Sequence, residues 1–68
     1  MPADWVIIYT TNQVFEADMV KEMLADNEID SVSINKQDSS YHFGEIEIYV
    51  STSDAFKATQ LISELKGE

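Results

Sequence analysis

Polar and apolar positions recur with two different periods along the chain, and these periods predict three strands and two helices. Residues 5–10 are aromatic and β-branched and are followed by a polar cluster, as is typical of a strand. Residues 31–35 and 45–50 alternate between polar and apolar, which predicts two strands with one buried face each. Apolar residues at helical spacing predict helices over residues 14–26 and, after an N-terminal cap, over residues 55–65.

The order of these elements restricts the fold. A helical crossover between the first two strands is right-handed, and a hairpin then pairs the third strand antiparallel with the second. The strand order 1-3-2 satisfies both conditions and places the third strand in the centre. We therefore expect an α+β fold, a ferredoxin-like two-layer sandwich of βαββα order with both helices on one sheet face. The length of 68 residues predicts a single domain over residues 1–68.

The same periods predict which side chains form the core. The strand residues expected to face the helices are Val6, Ile8, Val32, Ile34, Ile46, Ile48 and Val50. The remaining core residues expected are Ala17, Val20, Met23, Leu24, Ile29, Phe56 or Ala58, Ile62 and Leu65. A core of this size gives a monomer only marginal stability.

The opposite sheet face is predicted to carry an aromatic patch of Trp5, Ile7, Tyr9 and Tyr49 with an acidic border. Aromatic residues are enriched at the centres of protein contacts, and a large exposed apolar patch usually has a use. Alternatively, the rings pack on each other and on the loop of residues 37–43. The first strand also has an uncharged free edge that favours pairing. We therefore predict a protein partner or a homodimer that uses the patch or this edge.

The charge of the chain excludes several kinds of partner. Thirteen Asp and Glu residues against four Lys and Arg give a net charge of -9, which repels nucleic acid and anionic membranes.

No Cys is present, so we expect neither disulfides nor a thiolate metal site. Neither a signal peptide nor a membrane span is recognisable, which favours the cytoplasm. Asp18, Glu22 and Asp26 form an acidic stripe on the first helix, either solubilising or a docking site for a basic partner.

Few residues are suited to catalysis or ligand binding. His42 is the only histidine, and an enzyme using it with Glu45 or Glu47 is a further alternative, but nothing in the sequence orients the ring for catalysis. We therefore predict a non-enzymatic protein without cofactor or metal. The alternative to a protein-binding module is a sensor of small ligands, with Lys36, Tyr41 and His42 as contacts at the loop of residues 37–43.

The chain also resembles a family of short bacterial domains described as prokaryotic signal-transducing proteins, which are grouped with the ferredoxin-like PII regulators. The resemblance covers residues 5–65 and rests on the strand WVIIYTT, the pair Glu16-Ala17, Leu24 and Ile29, and the run from Ile48-Tyr49-Val50 to Ala58. It implies a regulatory role in signal transduction. Relatives tend to have Gly before the Ile of the second strand, whereas this chain has Glu28, so Asn27 or a strained Glu28 must make the turn.

Overall fold

A computed structural model describes residues 4–36 and 45–67, and its elements follow the predicted order. The elements are β1 (Trp5–Thr11), α1 (Val14–Asp26), β2 (Ser31–Asn35), β3 (Ile46–Ser51), a 3₁₀ turn (Thr52–Asp54) and α2 (Ala55–Leu65). Each bound lies within about one residue of the prediction. None of the helices in the described ranges has the length and apolar character that crossing a membrane requires.

The three strands form one antiparallel sheet in the order β1-β3-β2, which confirms the predicted α+β fold and strand order. The central strand β3 alternates in burial, with Ile46, Ile48 and Val50 buried and the intervening residues partly exposed. Side chains directly opposite each other in an antiparallel pair lie on the same face of the sheet. We call the sheet face that carries the side chains of Ile46, Ile48 and Val50 the Ile48 face. The opposite face, which carries the side chain of Tyr49, is called the Tyr49 face.

One hydrophobic cluster joins the Ile48 face to both helices. Its buried members are Ala17, Val20, Leu24, Ile29, Ile46, Ile48, Val50, Ala58 and Ile62. Of the two alternatives at the start of α2, Ala58 is the core residue, since Phe56 is 83% exposed. The expectation that Leu65 is buried is wrong, because its side chain is 42% exposed at the end of α2.

The apolar residues of β2 lie on the face opposite to the one predicted. Val32 pairs with Tyr49 and Ile34 pairs with Glu47, so both belong to the Tyr49 face. Ser33 instead pairs with Ile48. The prediction that Val32 and Ile34 lie on the same face as Ile46, Ile48 and Val50 is therefore wrong. The register of the β2–β3 pair determines the face, because the side chains of β3 are fixed in orientation by the core.

A register shift in β1 changes the orientation of its second half. Ile7 pairs with Tyr49, but the next paired residue, Tyr9, is opposite Ile48, so that Ile8 and Tyr9 together oppose one residue. This two-against-one pairing is the geometry of a β-bulge. Ile8 and Tyr9 both pack against the hydrophobic cluster. Tyr9 is consequently on the Ile48 face.

The turn between α1 and β2 contains a left-handed residue. Glu28 has a φ of 62°, whereas Asn27, which caps the helix, has a φ of −103°. The Asn27 side-chain amide donates a hydrogen bond to the carbonyl oxygen of Met23 at 2.9 Å, and the Ile29 N–H donates to the Leu24 carbonyl oxygen at 2.9 Å. Of the two residues considered for the strained position, Glu28 is the one that occupies it.

Candidate functional site

The Tyr49 face presents an apolar row that crosses all three strands. Tyr49 on the central strand lies directly opposite Ile7 on one side and Val32 on the other. Side chains opposite each other in antiparallel strands have Cβ atoms only about 5 Å apart, so the three form a continuous row. Trp5 and Ile34 extend it, because each lies two residues along its strand from a member of the row.

Much of this apolar surface is exposed. Ile7 is 47% exposed and Val32 is 38% exposed, while Trp5, Ile34 and Tyr49 are half-buried. Burying such side chains is favourable in proportion to the apolar area removed from water. The face is therefore suited to contact with another apolar surface.

The hydroxyl of Tyr49 joins the apolar row to two charged side chains at its border, Glu47 and Lys36. The Tyr49 hydroxyl donates to Oε1 of Glu47 at 2.9 Å, and Nζ of Lys36 lies 3.1 Å from the same oxygen. The hydrogen bond from Tyr49, followed by that from Lys36, lowers the pKa of Glu47 below its ordinary value. The hydrogen bond to Glu47 raises the pKa of Tyr49 and also that of Lys36. The negative charge beside Tyr49 is thus paired with a cation.

Tyr9 is separated from the other three residues of the predicted patch. Its hydroxyl donates a hydrogen bond to Oε1 of Glu16 in the first turn of α1, and the ammonium of Lys66 lies 4.9 Å from the centre of its ring. The hydrogen bond from Tyr9 is the largest cause that lowers the pKa of Glu16. Trp5, Ile7 and Tyr49 share one face, as predicted, but Tyr9 does not, because of the β-bulge in β1.

Tyr9 contributes instead to a cleft between the two helices. The cleft has a volume of about 330 Å³, within the lower range of small-molecule sites. Its walls are Tyr9, Glu16, Met19, Val20, Leu65 and Lys66. A carboxylate and an ammonium group therefore border a mainly apolar hollow.

The other candidate residues are distributed over separate parts of the chain. Asp18, Glu22 and Asp26 are all exposed on α1, as an acidic stripe requires. Of the contacts predicted for a small ligand, Lys36 is bound to Glu47, while Tyr41 and His42 lie outside the described residues. Within residues 4–36 and 45–67, no three His, Asp or Glu side chains are grouped as metal ligands.

Two residues of the Tyr49 face were not predicted to belong to it, namely Val32 and Ile34. The alternation of residues 31–35 shows that their side chains point to the same side, but it does not show which side. The only signal for the correct face is the pairing register, which places even-numbered residues of β2 opposite odd-numbered residues of β3. The structure thus enlarges the apolar patch along β2.

The comparison with protein families finds a match that covers most of the chain. The profile of the family described as "putative prokaryotic signal transducing protein" matches residues 5–66, which include every described helix and strand. Neither the curated proteins nor the solved structures include a significant match.

Proposed function

Because the chain belongs to the family of putative prokaryotic signal transducing proteins, we propose that it is a non-enzymatic regulatory or adaptor domain that binds a protein through its Tyr49 face. Signal transduction by a small domain requires a surface that another protein recognises. The observation that carries the proposal is the exposed apolar row of Ile7, Tyr49 and Val32.

The composition of the face favours a protein over other partners. Three aromatic or β-branched side chains in one row, with two more beside it, resemble the apolar centre of a protein interface. The paired charges of Lys36 and Glu47 lie at the border, where polar residues surround such centres. A net charge of -9 disfavours nucleic acid and anionic lipid as occupants.

The charge also indicates the chemistry of the partner. Opposite potentials on two surfaces accelerate association and exclude partners of like charge. We therefore propose a partner with an apolar surface surrounded by Lys or Arg, whose approach is guided by the acidic chain, including the stripe of Asp18, Glu22 and Asp26. Its association rate falls as salt is added.

The experiment compares capture of proteins from a lysate by the wild-type chain and by the double variant Ile7→Glu/Val32→Glu. Both side chains are exposed, so the substitutions leave the core intact while placing two charges in the apolar row. The double variant is expected to lose the captured protein. A folded double variant, verified by circular dichroism, that captures the same protein to the same extent contradicts the proposal.

Phe15→Glu/Phe56→Glu provides the matched control. Both residues are exposed apolar side chains of the helices, and the double substitution adds the same two charges. This control is expected to retain the captured protein. Equal loss of capture by both double variants assigns the effect to total charge and not to the Tyr49 face.

A second candidate function is the sensing of a small ligand, and the cleft of about 330 Å³ between the helices favours it. Glu16 and Lys66 at the border suit a ligand with one positive and one negative group and an apolar part. A ligand that binds the folded state raises the unfolding temperature. Thermal-shift screening with amino acids and related zwitterions tests this function, and Met19→Trp, which fills the cleft, is expected to abolish any shift.

We also propose the ferredoxin-like arrangement of the two layers, with both helices on the Ile48 face. Its support is the membership of α1 and α2 residues in the same hydrophobic cluster as Ile48. With the helices on that side, the Tyr49 face is left for a partner.

A further inference from the structure

The outer edge of β2 differs from that of β1 in regularity. Both are end strands of the described sheet, since β3 lies between them. The pairing of β1 is interrupted by the register shift between Ile7 and Tyr9, and a bulge disturbs pairing with a further strand. The pairing of β2 with β3 continues without a shift over all five residues of β2. Of the two edges, β2 is therefore the better template for an additional strand.

The backbone hydrogen bonds of β2 show which residues face outward. The Lys36 N–H donates to the Glu45 carbonyl oxygen at 3.1 Å, which directs the Lys36 backbone toward β3. In antiparallel strands, successive residues direct their N–H and C=O groups to opposite sides. Because the backbone groups of Lys36 point toward β3, those of Ser33 and Ser31, three and five residues earlier, point away from β3. A second strand could therefore form hydrogen-bonded pairs with these residues.

The sequence around Ser33 complements itself in antiparallel orientation. Asp30 stands three residues before Ser33, and Lys36 stands three residues after it. Val32 and Ile34 flank Ser33 symmetrically, so apolar residues also meet apolar residues. If two copies of the strand run antiparallel about Ser33, each Asp30 lies opposite Lys36 of the other copy.

We propose that two copies of this chain pair antiparallel along β2, about a two-fold axis at Ser33. Ser33 then forms a hydrogen-bonded pair with Ser33 of the second copy, and Ser31 lies opposite Asn35 of the second copy. Main-chain hydrogen bonds of this kind provide much of the affinity when a strand is added to a sheet edge. The two three-stranded sheets become one sheet of six strands.

The Asp30–Lys36 pairs fix the register and oppose the repulsion between two acidic chains. A shift by two residues along the strand keeps the hydrogen-bonding pattern but separates both charge pairs. The Lys36 side chain is 57% exposed, so its ammonium can approach Asp30 of the second copy while remaining near Glu47. Pairing in this register also brings Val32 beside Ile34 of the second copy on the Tyr49 face. The dimer is formed by the backbone edge of β2 and leaves the outer surface of the Tyr49 face uncovered. Dimerisation and protein capture are measured separately, so either proposal can fail without the other.

A cysteine placed at the axis tests both the dimer and its register. Ser33→Cys puts two thiols at positions whose Cα atoms are about 5.5 Å apart in a hydrogen-bonded pair, within the range that a disulfide spans. Ser31→Cys is the matched control, because its two copies are four residues apart along the strands, or about 13 Å. The wild-type chain has no cysteine, so any disulfide joins the introduced residues.

Copper–phenanthroline oxidation at micromolar protein concentration is expected to convert Ser33→Cys into a covalent dimer in non-reducing electrophoresis. The Ser31→Cys variant is expected to remain at the mass of one chain. Equal cross-linking of the two variants, or of neither, overturns the proposed register. Sedimentation of the wild-type chain as a monomer at every concentration overturns the dimer itself. A monomer whose β2 edge binds a strand of a different protein overturns it as well.

Charge reversal provides an independent test that does not depend on oxidation. Asp30→Lys replaces two attractive pairs by two repulsive ones and is expected to weaken the dimer by roughly tenfold. The triple variant Asp30→Lys/Lys36→Glu/Glu47→Gln restores opposite charges between the two copies, and Glu47→Gln removes the carboxylate that would repel the new acidic side chain at position 36. It is expected to recover most of the affinity. Asp18→Lys, which changes the net charge equally on α1, controls for total charge. Weakening by Asp18→Lys to the same extent, or no recovery in a folded triple variant, contradicts the proposed pairs.

Discussion

The hydroxyl of Tyr9 donates a hydrogen bond to the carboxylate of Glu16, and this contact joins β1 to the first turn of α1. It is formed because the β-bulge turns Tyr9 to the Ile48 face, where Tyr9 packs against the hydrophobic cluster. The contact holds the pKa of Glu16 below its ordinary value of 4.5. Folding therefore favours the ionised form of this carboxylate.

Tyr9→Phe is expected to lower the unfolding temperature near neutral pH while keeping the ring in place. The ionised Glu16 side chain stabilises the fold fully above pH 4.5, which is the pKa of this group in the unfolded chain. This stabilisation is lost as the pH falls through the lower pKa of Glu16 in the folded state. The difference in unfolding temperature between wild type and variant should consequently shrink in acid. Thermal unfolding followed by circular dichroism over a pH series measures it, and a difference that does not change with pH contradicts this role.

Glu28→Gly is expected to stabilise the fold by about 0.5–1 kcal/mol. A residue with a side chain at positive φ is strained by about 1–2 kcal/mol, and Gly relieves this strain at the cost of greater freedom in the unfolded chain. Glu28 has a φ of 62°. Urea unfolding measures the change.

Glu28→Ala removes the same charge but keeps a Cβ atom, so it controls for electrostatics. It is expected to be neutral or slightly destabilising. Equal stabilisation by Ala and Gly would show that the charge, and not the backbone conformation, limits stability at this turn.

Val50→Ala and Val32→Ala are expected to differ strongly although the substitution is the same. Val50 has no exposed surface, whereas Val32 is 38% exposed on the Tyr49 face. Truncation in the core leaves a cavity and should cost about 2 kcal/mol or more, while truncation at Val32 should cost less than about 1 kcal/mol. Urea unfolding of the two variants measures both costs, and equal costs contradict the orientation of β2 described above.

The orientation of β2 also shows what the sequence can and cannot predict. Alternation in residues 31–35 identifies a strand and its period, because successive side chains of a strand point to opposite faces. It does not identify the buried face, which depends on the register with β3. Ser33 lies on the Ile48 face although Ser is the more polar residue, since Val32 and Ile34 are opposite Tyr49 and Glu47.

The misplacement of Tyr9 has a different cause. Residues 5–10 are apolar almost throughout, so polar and apolar side chains do not alternate along this strand. Without that alternation, the sequence does not reveal where an extra residue is inserted. The bulge is visible only in the pairing of β1 with β3. By contrast, the strand order, both helices and the buried residues of β3 follow from periodicity and connection rules alone. Periodicity alone therefore groups Trp5, Ile7 and Tyr49 on one face but misplaces Tyr9.

Glu47→Gln is expected to return the pKa of Tyr49 and that of Lys36 toward their ordinary values. In the wild type, the hydrogen bond to the Glu47 carboxylate raises both, above 10.0 for Tyr49 and above 10.5 for Lys36. A neutral amide stabilises neither the protonated phenol nor the ammonium as well as a carboxylate does. Titration of the Tyr49 ring resonances by NMR measures the shift, and an unchanged titration contradicts the hydrogen-bonded group at the border of the Tyr49 face.

The Tyr49 face is tested most directly by hydroxyl-radical footprinting of the chain with and without the protein it captures. Trp5 and Tyr49 report on this face, and Phe56, exposed on α2, serves as the internal reference. Binding is expected to protect Trp5 and Tyr49 from oxidation while Phe56 reacts as in the isolated chain. Protection of Phe56 with unchanged oxidation of Trp5 and Tyr49 would show that the partner binds a different surface.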